Sequence, residues 1–134
     1  MSDWVDLLED YALLIIKRGR VIYKSRQAGI IPLLKAIEEC DINDLKNSEV
    51  LDRIVGRAAA LLIAWFKATR VRAITMSKHA IQVLKNYGIQ FEYIQLVEFI
   101  HDKTRTGMCP LEKAVMDIHD PEEALNILRE KILK

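Results

Sequence analysis

The segment Thr75-Met76-Ser77-Lys78-His79-Ala80-Ile81-Gln82-Val83-Leu84 puts a hydroxyl, an ammonium and an imidazole side by side where an apolar strand gives way to an amphipathic helix. A helix start exposes unpaired N–H groups and the positive end of the helix dipole, so it suits a phosphate or carboxylate. Ser77 is the expected cap there, with Lys78 and His79 able to add charge. A second set of the same kind is Asp52, Arg53, Gly56 and Arg57, with Asp52 read as the cap of a long Ala-rich helix. The third is Thr106-Gly107-Met108-Cys109-Pro110. Pro110 fits the first helical position, which makes Cys109 the cap, where a thiolate is stabilised. Cys109 is therefore the candidate nucleophile, although Glu112 in the same first turn opposes a negative sulfur. The bland reading is that Asp52 and Ser77 simply cap their helices, worth about 1 kcal/mol each. Gly56, one turn into its helix on this reading, then marks close packing or ligand approach.

These residues need elements to position them. Ser2 can cap a first short helix to Asp10, with Trp4, Leu7 and Leu8 on one face. The apolar runs Tyr11–Ile16 and Val21–Tyr23 meet at Arg18-Gly19, a hairpin signal. After Gly29, Ile30 to Glu39 read as a helix with Pro32 in its first turn. A short strand at Val50-Leu51 leads into the helix from Asp52 to about Ala68. Val71–Met76 form a strand, and the helix capped by Ser77 stops at Tyr87-Gly88. Ile89–Ile94 form another strand, and the segment from Gln95 to Met108 is hard to assign. Pro110 opens one helix and Asp120-Pro121-Glu122-Glu123 the last. Strand–helix alternation implies one α/β domain over residues 1–134. Its expected form is three-layered, a mostly parallel five-stranded sheet begun by a hairpin.

Composition narrows the function classes. With 134 residues, 51% of them hydrophobic, the chain has material for a core. A net charge of +1 gives no global reason to bind nucleic acid or an anionic membrane. Lys17, Arg18, Arg20, Lys24 and Arg26 make the hairpin basic, which suits a guarded sheet edge better than nucleic acid, since few aromatics are interleaved. No apolar run approaches the roughly 20 residues of a membrane span, and no signal peptide is evident. Two cysteines make no disulfide framework, so a cytoplasmic setting is expected.

The Ser77 segment resembles the second zinc motif of cytidine deaminases, Ser-Pro-Cys-x-x-Cys-Arg-Gln-Val-Leu. Aligned on Gln82-Val83-Leu84, the two ligand cysteines become Ser77 and Ala80. Four blocks further resemble an uncharacterised prokaryotic family, the domain-of-unknown-function family numbered 1893. They are Ser25–Leu34, Asp52–Ala60, the Ser77 helix with Tyr87-Gly88-Ile89, and Thr106–Ala114. The resemblance implies a cytidine-deaminase-like fold and supplies no activity. Zinc deamination needs three protein ligands and a Glu. Here the helix from Asp52 contains no His, Cys or Glu through Phe66, and alanine cannot bind metal. The histidines His79, His101 and His119 and the two cysteines show no ligand spacing, so neither metal nor cofactor is expected.

The reading that results is a small-ligand protein that holds a nucleotide or another phosphate-bearing molecule at converging helix starts. One alternative is an enzyme dependent on Cys109. The other is a non-catalytic protein that forms a homodimer through a sheet edge or the Ala-rich helix.

Overall fold

The computed structural model describes residues 3–133 of the chain. The expected Ser2 cap lies outside them. Helix α1 covers Asp3–Asp10 and is followed by the hairpin β1 (Leu13–Lys17) and β2 (Arg20–Ser25). Arg18 and Gly19 both take positive φ, 51° and 78°, which is the backbone a tight two-residue hairpin turn requires. Helix α2 (Ile31–Glu39) follows Gly29, whose φ of +96° is open to glycine and costly to other residues. A short α3 (Ile42–Leu45), which the sequence did not suggest, is capped by Asp41 accepting from Asn43 N–H at 2.8 Å.

The remainder alternates: β3 (Glu49–Val55), α4 (Arg57–Trp65), β4 (Arg70–Ser77), α5 (Lys78–Asn86) and β5 (Gln90–Val97). It closes with α6 (Pro110–Ala114) and α7 (Pro121–Leu133). The five strands form one sheet in the order β2-β1-β3-β4-β5. β1 runs antiparallel to both β2 and β3, while β3, β4 and β5 are parallel. The sheet is thus mixed and not mostly parallel. A hairpin necessarily reverses the chain, and β1 then joins β3 from the reversed side.

The helices divide unequally between the two faces. One face carries the main core, in which α2, α4, α5 and α7 contribute Leu33, Ile37, Leu61, Leu62, Leu84, Leu125 and Leu128. α4 is apolar nearly all round because it has partners nearly all round, with every residue from Arg57 to Ala64 buried. Each fully buried Leu or Ile there is worth about 1.5–3 kcal/mol. α1 alone lies on the other face, where Trp4 and Leu8 cover Leu14 and Leu51. Leu7 does not share that buried face and is exposed.

One irregularity positions the site. Val50, Val71 and Ala73 face the main core while Leu51 and Ile74 face α1, as strand alternation dictates. Val55 and Met76 are nevertheless back on the main-core side. The alternation slips by one around Arg53 and Ile74, where the ladder skips a pair between Asp52↔Ala73 and Ile54↔Thr75. The slip turns Ile54 outward, 50% exposed, in one row with Thr75 and Gln95.

Candidate functional site

β3 does not end at Leu51, and Asp52 is not a helix cap. It sits inside the strand between Leu13 of β1 and Ala73 of β4, facing core residues and 5% exposed. Its carboxyl accepts a long bond from Ile54 N–H, 3.4 Å. Burial pushes its pKa up to about 8, against smaller opposing effects from the neighbouring N–H groups and the Arg53 charge. Arg53 points the other way. Its guanidinium donates to the Leu8 and Glu9 carbonyls at 2.7 and 2.9 Å, closing the carboxyl end of α1. Neither residue reaches a helix start.

The cap of α4 is Gly56, in extended conformation and with no side chain to offer. Glu112 of α6 supplies the missing acceptor. Its two carboxylate oxygens take the Arg57 and Ala58 N–H groups, each at 2.7 Å. Glycine is required because a Cβ at position 56 would lie 2.2 Å from Glu112 Oε1 and 2.5 Å from Ile100 Cγ1. The anion expected at this helix start is therefore one of the protein's own. Burial raises the Glu112 pKa, while the two N–H bonds and the charges of His79 and Arg57 hold it down.

Arg57 is equally committed. It is 4% exposed, and its Nε donates to the Val115 carbonyl at 2.9 Å while Nη2 reaches the Ile118 carbonyl and His119 Nδ1. A guanidinium tolerates such burial when carbonyls surround it. It clamps the turn after α6 and cannot serve a ligand.

Ser77 is fully buried and caps α5 as expected, its Oγ accepting from Ala80 N–H at 3.1 Å. Lys78 is exposed and paired with Glu98 at 2.6 Å. His79 is half-buried beside Glu112. Cys109 does cap α6 by its backbone, but α6 has only five residues and the thiol makes no cap bond. The starts of α4, α5 and α6 do meet at one end of the sheet, joined by Glu112. What they form is a packed junction in which the Arg57, Ala58 and Ala80 amides are already satisfied.

Zinc chemistry does not fit this junction. Ser77 Oγ is spent on an amide, Ala80 has no donor atom, and the Glu112 carboxylate holds two amides of α4.

The open space lies beside it, beyond the carboxyl ends of β3, β4 and β5. A crevice of about 420 Å³ is floored by Ile54, Thr75 and Gln95 and walled by the segment from Val97 to Arg105. Phe99 and His101 meet there with ring centroids 4.7 Å apart and planes tilted by 55°. Lys103 and Arg105 line the crevice, and among the described residues neither forms an ion pair. Asp102 organises the wall. It accepts from Thr104 Oγ1 at 2.9 Å and Thr106 N–H at 3.1 Å, and its N–H donates to the Gly107 carbonyl at 2.9 Å. The Thr104 bond, with backbone N–H groups behind it, holds the Asp102 carboxyl below its usual range. Thr106 and Gly107 thus brace the loop and do not line the crevice.

Lys103, Arg105, Gln95 and Phe99 all fall in the segment that the sequence left unassigned, and none was named as a site residue. Their only signal was an unassignable stretch directly after a strand, a common location for binding residues. A larger hollow of about 800 Å³ opens at the opposite end of the sheet, bordered by Trp65, Arg70, Tyr87 and Glu122. It lies at the amino ends of the strands, where open α/β sheets do not ordinarily bind ligands.

A family model described as "TM1506: Domain of unknown function (DUF1893)" matches residues 7–132. The crystal structure of a DUF1893 family protein (TM1506) from Thermotoga maritima superposes with a TM-score of 0.86 at 33% sequence identity. The match covers 95% of this chain and 86% of that one. No curated protein matches the chain.

Proposed function

We propose that this chain, which belongs to the DUF1893 family, holds a small phosphate-bearing molecule such as a nucleotide in the crevice at the carboxyl ends of β3, β4 and β5. One observation carries the reading: two cations with no ion-pair partner among the described residues, Lys103 and Arg105, line an open crevice at the strand ends. That is where parallel strands deliver their ligands. A volume of about 420 Å³ suits a small molecule. The cations take the phosphate, the Phe99–His101 pair offers a ring surface, and Thr75 and Gln95 offer hydrogen bonds to polar edges. The helix starts act indirectly, by anchoring the junction beneath the wall.

A deaminase-like ancestry is supported by the order hairpin, α2, β3, α4, β4, α5, β5, which, the short α3 aside, is the hairpin, helix, strand, helix, strand, helix, strand order of the deaminase-like resemblance. We read it as one domain without zinc hydrolysis, working in a reducing cytoplasm with Cys40 and Cys109 as free thiols. A Cys109-dependent reaction has less support. The nearest base in its helix, Glu112, is committed to two amides.

Thermal shift with nucleotides and sugar phosphates tests the proposal. A ligand at a hundredfold excess over Kd stabilises by about 2.7 kcal/mol, or roughly 10 °C in a domain of this size. The double variant Lys103→Ala/Arg105→Ala should lose that shift while keeping its own unliganded Tm. Stabilisation by no phosphate compound, or a shift that survives the double variant, would refute the crevice as the site.

A further inference from the structure

We propose that the outer edge of β5 pairs, antiparallel and about a two-fold axis, with β5 of a second copy of this chain. β5 ends the sheet, so alternate N–H and C=O groups along its eight residues face outward. Among the described residues no backbone group pairs with that side.

The two edges of the sheet are built differently. β2 carries Arg20 and Lys24, with Arg18 and Arg26 flanking, and its exposed Val21 sits among those charges. Lys24 and Arg26 lie over the Tyr11 ring, 5.4 and 4.8 Å from its centroid, keeping their charges along that rim. This is how a strand edge is guarded against further pairing. β5 reads Gln-Phe-Glu-Tyr-Ile-Gln-Leu-Val, with no lysine, arginine or proline. Its one charge, Glu92, is matched within the chain by Arg72 at 3.4 Å. Tyr93, Ile94 and Leu96 are 38%, 62% and 39% exposed. An unguarded, apolar strand edge of this length needs a cover.

Charge identifies the cover. The basic β2 of another copy finds no unmatched acid on β5, and that head-to-tail union would propagate into a filament. A second β5 brings no excess charge, and isologous pairing closes after two copies. Centred on Ile94, the most exposed apolar side chain of the strand, the pairing sets Ile94 against its own copy and Glu92 against Leu96. The two Glu92 residues then lie about 13 Å apart along the strands, so no like charges oppose one another.

Sedimentation equilibrium on the full chain tests this. The wild type should weigh twice the 15.4 kDa chain mass, and Ile94→Lys should halve that mass. Val21→Lys on the opposite edge should remain a dimer. Independently, Ile94→Cys should form an intermolecular disulfide joining position 94 to position 94 under mild oxidation, since residues facing each other across a strand pair lie within disulfide reach. A wild-type mass of one chain, a dimer that survives Ile94→Lys, or absence of the 94–94 crosslink would overturn the proposal. So would a mass that grows without limit with concentration and is blocked by Val21→Lys.

Discussion

Replacing Asp52 by Asn should make the protein more stable at alkaline pH, although it removes the most buried acid of the sheet. The Asp52 carboxyl is enclosed between Leu13 and Ala73, and burial raises its pKa from 3.8 to about 8. Between those values the folded chain holds a proton that the unfolded chain has released. Folded protein then binds more protons than unfolded, so stability falls as pH rises, by about 1.4 kcal/mol per unit for one such group. The contribution is complete below pH 4, reduced by about 4 kcal/mol at pH 7 and lost above pH 8. That is a large share of the roughly 5–15 kcal/mol that holds a domain together. Arg53, whose charge favours the ionised form, is turned toward α1 and moderates the effect without cancelling it. Asn is neutral throughout and nearly isosteric. At pH 5 it should cost about 1 kcal/mol for an imperfectly bonded amide. At pH 8.5 it should exceed the wild type by several kcal/mol, order of magnitude. Urea unfolding of both proteins across pH 5–9 measures this. Glu112, also raised by burial, should leave the variant a weaker slope of the same sign. A variant with the full wild-type slope, or one less stable than wild type at pH 8.5, would show that Asp52 is ionised in the fold and refute the reasoning.

Three further outcomes follow from the junction and the crevice. Gly56→Ala forces a methyl against Glu112 and Ile100 and breaks the bridge from α6 to α4, costing about 2–4 kcal/mol by denaturant unfolding. Adding Glu112→Ala to it should recover only part of that loss, because Ile100 still lies 2.5 Å from the added carbon. Ser77→Ala leaves the buried Ala80 N–H without its acceptor, and should cost about 1–2 kcal/mol while leaving phosphate-dependent thermal shifts intact. If Ser77→Ala abolished those shifts, the ligand would sit at the α5 start and not in the crevice.

Local chemistry was legible before the fold. Ser77 as cap, Gly88 (φ +68°) as stop, and the prolines opening α6 and α7 all stand where the residues indicated. Each depends on a few neighbouring backbone dihedrals and one nearby hydrogen bond, which the local sequence specifies. The site was legible only in part. Asp52 reads locally as a cap before an alanine run, yet β1 and β4 pair on either side of it and extend the strand to Val55. Arg53 and Arg57 read as free cations at a helix start, and each instead found carbonyls more than forty residues away.

The chain itself determined an α/β order of elements and the starts of α5, α6 and α7, because residue type and spacing are local properties. Tertiary structure alone decided the rest. The hairpin's reversal made the sheet mixed, and the slip around Arg53 and Ile74 turned Ile54, Thr75 and Gln95 outward to floor the crevice. Glu112 reached the α4 amides across more than fifty residues. A buried amide takes whichever acceptor the folded chain brings within reach, and no window of sequence records which one that is.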